Sequence, residues 1–144
     1  MVLMNEMYEM SQSIHIYSVM GLVLVLLIMI AMHKVQGDFQ KFVKNIKILM
    51  IFHLSFIGFI VLTGAVMMAA QHLSFTPANL LMVVSIFILS TLEIKRNKAL
   101  SKVIKFKSME DETYKKLGFK YQSIELFLIL LVSAFAGIAD AISF

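Results

Sequence analysis

The chain has 144 residues, of which 60% are hydrophobic and only 15% are charged, and its net charge is +4. Soluble domains average about 45–50% apolar and about 25% charged residues, so this composition is typical of a membrane protein. The absence of cysteine excludes disulfides, a thiolate nucleophile and cysteine-based metal sites.

All basic residues lie in two segments. Residues 34–47 hold four lysines, and residues 95–120 hold the other nine lysines and arginines. Basic residues accumulate in the cytoplasmic loops of membrane proteins, so the positive charge predicts topology and no nucleic-acid partner. We expect residues 34–47 and 93–121 to face the cytoplasm and both termini to lie outside the inner (cytoplasmic) membrane.

The first predicted helix covers about residues 6–33. The start of the chain carries Glu6 and Glu9 and no base, whereas a secretory signal peptide has a positive start and a short apolar core. The apolar run 16–32 is long, so we expect an uncleaved membrane helix. Asn5 is its predicted N-cap.

The second predicted helix covers about residues 39–71. Its apolar run, Ile48 to Ala70, has 23 residues, and about 20 are enough to cross a ~30 Å hydrocarbon core. Gly37 suits the end of helix 1, and Asp38 suits the N-cap of helix 2. His53 is the one ionisable residue inside the run.

The third predicted helix covers about residues 77–105. Thr76 and Pro77 form a typical start, an N-cap followed by proline at the first helical position. The 20 residues from 73 to 92 are uncharged, and the helical pattern then continues among lysines into the cytoplasm.

The fourth predicted helix covers about residues 109–144. No linker or repeat divides the chain. Together the four helices predict an all-α fold with one transmembrane domain over residues 1–144. We expect an integral membrane four-helix up-down bundle with cytoplasmic helix extensions and both termini outside.

Two ionisable residues are predicted to lie at similar depth. The 14 uncharged residues between Glu125 and Asp140 span only ~20 Å, so with Asp140 at the outer interface Glu125 lies roughly 7 Å inside the inner one. His53, six residues after Lys47, comes out about 9 Å inside the same boundary. Intramembrane ionisable residues usually face the bundle interior and find a partner. His53 and Glu125 are therefore a predicted buried polar pair, which either handles protons or a ligand or simply locks helix 2 against helix 4.

A second polar layer is predicted near the outer face from His15, His72 and Asp140. Two histidines and a carboxylate can bind a metal, but these three have no ligand spacing such as two histidines at i,i+4, so we predict no metal site. The sequence also shows no catalytic constellation.

Small residues that permit close helix contacts, within the bundle or with another subunit, lie on helices 2 and 4: Gly64, Ala65, Ala69, Ser133, Gly137 and Ala141.

Two short motifs resemble haem-associated membrane families. Ile14-His15-Ile16 opens helix 1, and Leu62-Thr63-Gly64 lies late in helix 2. Over roughly residues 14–90 the pattern is similar to the four-helix membrane protoporphyrinogen oxidases and the related copper-resistance D type proteins. The resemblance implies haem b, with His15 as a ligand. The lysine with which that family opens its third helix would fall near Asn79.

Two functions follow from these observations. The residues alone favour a non-enzymatic accessory or interaction subunit without a cofactor, which contacts the lipid bilayer and either a second copy or a larger membrane complex. The alternative, from the resemblance, is a haem-associated membrane redox protein or oxidase. Counting from Lys34 and Lys47 places no two histidines at one level, so we predict no stoichiometric haem. An absorption spectrum of the purified protein separates the two functions.

Overall fold

The computed structural model describes residues 2–35, 37–70, 76–106 and 111–142, with side chains described over 5–35, 37–70, 76–104 and 113–138. Its four helices are α1 (Val2–Val35), α2 (Phe39–Ala70), α3 (Pro77–Phe106) and α4 (Asp111–Ile142). The described segments contain no strand, and all four helices are long and apolar enough to cross a membrane. The predicted all-α fold and the multi-pass membrane character are confirmed. The predicted helix limits at residues 71, 109 and 144 lie outside the described residues.

Two helix starts use the predicted capping chemistry. The Asp38 carboxylate accepts hydrogen bonds from the backbone N–H groups two and three residues later, at 3.0 and 3.4 Å, which satisfies donors that would otherwise be free at the start of α2. The Thr76 hydroxyl oxygen accepts one from the N–H three residues later at 3.2 Å. The predicted cap at Asn5 is wrong, because α1 already begins at Val2.

Helix α1 packs against both α2 and α4, and α3 packs mainly against α4. Helices α2 and α3 approach each other closely at few positions. Glycines bring α1 close to its neighbours: a Cβ on Gly21 would lie 2.5 Å from the Phe56 ring of α2, and a Cβ on Gly118 of α4 would collide with His33 of α1. A larger residue at either position would force the neighbouring ring to move.

Two apolar clusters form the core, and each draws residues from all four helices. The leucine cluster consists of Leu22, Leu26, Ile57, Leu89 and Ile129. The aromatic cluster consists of Val25, Met29, Phe42, Ile46, Met50, Leu100, Val103 and Tyr114. The most polar part of the interior lies between them.

Candidate functional site

Four ionisable side chains meet inside the helices: His53 of α2, Glu93 and Arg96 of α3, and Glu125 of α4. Their exposed fractions are 0, 2, 1 and 0%, respectively. Glu93 and Arg96 share a face of α3 because residues three apart are neighbours on a helix. Since burying a charge is costly unless it is paired, the contacts among these four groups decide what the site can do.

The four groups alternate in sign around a closed ring. His53 Nδ1 lies 3.4 Å from Glu93 Oε2, and its Nε2 lies 3.6 Å from Glu125 Oε2. Arg96 donates through Nη1 to Glu125 Oε2 at 3.5 Å, and its Nη2 pairs with Glu93 Oε2. Each basic group therefore contacts both carboxylates. We call these four residues the charge ring.

The net charge of the charge ring depends on one proton, which can bind in addition to those of the Arg96 guanidinium. The ring is neutral when this extra proton is bound. Arg96 is always charged in proteins, so two ionised carboxylates and a neutral His53 leave a net charge of −1. A proton on His53 gives two positive and two negative groups in alternation. Both imidazole nitrogens are then donors, and each has a carboxylate oxygen beside it. The ring therefore offers a place for one extra proton among the imidazole and the two carboxylates.

The same residues offer ligands for a metal cation. One ligand atom each from His53, Glu93 and Glu125 lies within 4.8 Å of the others, and imidazole with carboxylates suits several divalent transition metals. A divalent ion together with Arg96 and a neutral His53 would leave the buried site with a net positive charge, whereas a proton leaves none. Charge balance therefore favours the proton as the bound species.

The surroundings of the charge ring differ on its two sides. Ile57, Leu89 and Ile129 each lie four residues from a ring residue on the same helix, and all three belong to the leucine cluster. On the other side Gln122 is fully buried. Its amide atoms and the Tyr114 hydroxyl have no hydrogen-bond partner among the described side chains. Polar groups thus extend from the ring toward the aromatic cluster, while an apolar layer covers the opposite side.

The structure brings His53 and Glu125 together, but the expected pair is incomplete. The segment 93–121, which is predicted to face the cytoplasm, begins with two side chains that are buried between helices, Glu93 and Arg96. The spacing of residues along α3 could have identified Glu93 and Arg96 as buried. The lysines of α3 lie outside its buried face, whose residues recur every three or four positions: Ser85, Leu89, Glu93, Arg96, Leu100 and Val103.

Of the predicted outer layer, only His15 has a described side chain. His15 Nδ1 lies 2.9 Å from the Thr63 hydroxyl oxygen. That hydroxyl donates to the Phe59 carbonyl at 2.7 Å, so His15 is the donor toward Thr63. His72 and the side chain of Asp140 lie outside the described residues.

The surroundings of His15 fit one axial ligand of a haem. Its Nδ1 donates to Thr63, which leaves the Nε2 lone pair for a metal. His53 is ten residues from Thr63 on α2, or ~15 Å along the helix, and His33 is 18 residues from His15 on α1, or ~27 Å. Among the described histidines, none lies at the level of His15 to provide a second ligand.

No protein-family model, curated protein or solved structure matches this chain. The resemblance to haem-associated families therefore stays a prediction. The structure itself defines a multi-pass membrane protein of all-α fold whose membrane-spanning helices enclose a ring of charges.

Proposed function

We propose that this chain is a non-enzymatic, proton-binding membrane subunit, in which the charge ring takes up and releases one proton and thereby couples α2 to α3 and α4. The observation that carries the proposal is the position of His53, whose two nitrogens face carboxylates at 3.4 and 3.6 Å. Ionisable residues inside a membrane are costly, and they characteristically mark proton or ion sites.

The proposal includes an up-down helix order with the aromatic cluster at the cytoplasmic end and both termini outside the cytoplasmic membrane. The core clusters support this order, because α1 and α3 run from leucine cluster to aromatic cluster and α2 and α4 run back. The aromatic-cluster end of the helices carries exposed lysines, as is typical of the cytoplasmic side. These are Lys44, Lys47, Lys98, Lys102 and Lys120.

Proton exchange is proposed to take place with the cytoplasm. On the outer side, the leucine cluster separates the ring from the next buried polar side chains, those of Ser18, Thr63 and Ser85. Gln122 and Tyr114 supply hydrogen-bonding groups on the cytoplasmic side, where water needs such polar partners to enter. This one-sided arrangement suits a subunit that responds to cytoplasmic protons rather than one that conducts them.

Release of the proton would weaken the link between α2 and α3. These helices approach closely at few positions, and His53 is the residue that α2 contributes to the ring. A neutral imidazole has one nitrogen that accepts rather than donates, so one carboxylate would face a lone pair. We therefore expect α2 to move away from α3 when His53 loses its proton.

Spin labels can test this coupling. The sequence contains no cysteine, so labels would attach only to introduced cysteines. Labels would replace the exposed side chains of Ile51 on α2 and Ile94 on α3 in protein reconstituted into nanodiscs. Pulsed electron paramagnetic resonance at about pH 5 and about pH 8 covers the range in which histidine changes charge. We expect a longer or broader distance distribution at the higher pH.

Glu125→Gln is the matched control. Without that carboxylate, Arg96 and Glu93 balance each other and His53 needs no proton, so the distance distribution should not change with pH. His33→Gln should respond like the wild-type protein, because His33 lies outside the ring. Equal wild-type distributions at both pH values, or a full pH response in Glu125→Gln, would contradict the proposal.

Association with a second copy or a larger complex remains part of the proposed role. Ser133 and Gly137 are exposed on α4, and no described atom lies within 4 Å of a Cβ built on Gly137. This part of the predicted small-residue face is therefore not used inside the described chain. Gly64 differs, because its added Cβ would lie 3.6 Å from His15.

Cysteine labelling tests the proposed orientation. We expect Asn5→Cys to react with a membrane-impermeant thiol reagent in intact cells, and Lys98→Cys to react only after permeabilisation. Both positions are exposed, so burial does not distinguish them. The opposite labelling pattern would reverse the orientation, and proton exchange would then take place with the outside.

A further inference from the structure

We propose that the exposed face of α3 binds an anionic phospholipid. The site lies apart from the charge ring and uses none of its residues. Its members are exposed and recur at three- or four-residue spacing, so they share one face of the helix; we call them the α3 stripe: Val84, Phe87, Ile88, Thr91, Lys95, Lys98 and Lys102.

The α3 stripe changes from apolar to basic along the helix. Val84, Phe87 and Ile88 are 45, 70 and 42% exposed and lie deeper in the membrane than the lysines. Phe87 and Lys98 are 11 residues apart, or ~16 Å along the helix, and half of the ~30 Å hydrocarbon core is ~15 Å. An acyl chain beside Phe87 would therefore place its headgroup phosphate near Lys98.

Two adjoining grooves follow this stripe. The one nearer the start of α3 is shallow and mostly apolar, and it has Lys95 at its end. The next is shallow and also mostly apolar, and it is lined by Ile94, Asn97, Lys98, Ser101 and Lys102. Ammonium, amide and hydroxyl groups are all donors to phosphate oxygens. An apolar groove that leads into such donors matches a lipid with an anionic head.

Among the described side chains, the lysines of the α3 stripe have no acidic partner. Lys34 and Lys115 lie over aromatic rings, and Lys41 pairs with Asp38 at 3.9 Å. The charge of the stripe lysines is therefore available to a ligand, and anionic lipids are attracted to such juxtamembrane basic groups.

A second copy of this chain fits the α3 stripe less well. In a two-fold symmetric contact the same surface meets itself, so with the symmetry axis along the membrane normal the lysines of one stripe would face those of the other at equal depth. Like charges would repel, whereas an anionic phospholipid satisfies both halves of the stripe. Charge complementarity therefore selects the lipid.

The test compares thermal unfolding of the full chain in nanodiscs of phosphatidylcholine with and without phosphatidylglycerol. We expect phosphatidylglycerol to raise the melting temperature of the wild-type protein. Lys98→Gln/Lys102→Gln should lose most of that rise and keep the wild-type melting temperature in pure phosphatidylcholine. Native mass spectrometry should show loss of bound phosphatidylglycerol in the same variant.

Lys44→Gln/Lys47→Gln is the matched control, since it removes the same charge from exposed positions on α2 and should retain the rise. Equal loss in both double variants would mean a diffuse charge effect and would overturn the site. Retention of the full rise in both would do the same. An equal rise from inorganic phosphate in phosphatidylcholine nanodiscs would assign the groove to a free anion instead of a lipid.

Discussion

Arg96→Met is expected to be among the most destabilising single substitutions in this chain. It would leave the carboxylates of Glu93 and Glu125 with His53 as the only basic group in the ring. Removing one partner of a buried ion pair costs about 3–5 kcal/mol, because the remaining charge stays buried without compensation. Circular dichroism in detergent should show a clear drop in the melting temperature.

Two further variants separate charge from shape. Arg96→Lys keeps the positive charge but lacks the planar guanidinium that contacts both carboxylates, so its melting temperature should lie between those of Arg96→Met and the wild-type protein. Arg96→Met/Glu93→Gln should regain part of the loss, because a protonated His53 then balances Glu125 alone. Lys102→Met, at an exposed position, is the control. If Arg96→Met lowered the melting temperature no more than this control, Arg96 would not lie in the charge ring.

The helices were predictable because the physics that forms them is local. A run of about 20 apolar residues is long enough to cross the hydrocarbon core as a helix, and the oxygens of Asp38 and Thr76 can cap the adjoining turns. His53 was recognisable because it interrupts an apolar run. Its level relative to Glu125 followed from counting residues along two helices.

The remainder of the ring could not be found by the same counting. Glu93 and Arg96 adjoin Lys95 and Lys98 in the sequence, and all four charges look like the start of a cytoplasmic segment. Only the direction in which each side chain points separates the buried pair from the exposed lysines, and that direction depends on how α3 packs against α4. To predict whether a charged residue at the end of an apolar run is buried, one must therefore know which face of the helix it occupies as well as its depth.

The charge ring is better explained by a function than by stability. Buried ion pairs lose much of their attraction to desolvation, and well-packed apolar replacements are often as stable or more so. Four ionisable groups would thus be an inefficient way to hold three membrane helices together. A site that must gain and lose a proton, in contrast, requires groups of this kind.

His53→Leu is expected to destabilise the protein more than Glu125→Leu, and the double variant should resemble Glu125→Leu alone. The charge of the ring gives the reason. Without His53, the two carboxylates share only Arg96, so one negative charge remains uncompensated in the interior. Without Glu125, Arg96 and Glu93 balance each other and His53 becomes neutral at little cost.

A double-mutant cycle measures this coupling from the melting of the four proteins in detergent. Residues in direct contact show interaction energies of about 0.5–3 kcal/mol, and hydrogen bonds between membrane helices average about 0.6 kcal/mol, so we expect a coupling above that average. Its sign should make the double loss smaller than the sum of the single losses. Strict additivity would mean that His53 and Glu125 are not partners, despite the 3.6 Å between Nε2 and Oε2. Equal losses for the two single variants would contradict the assignment of the proton to His53.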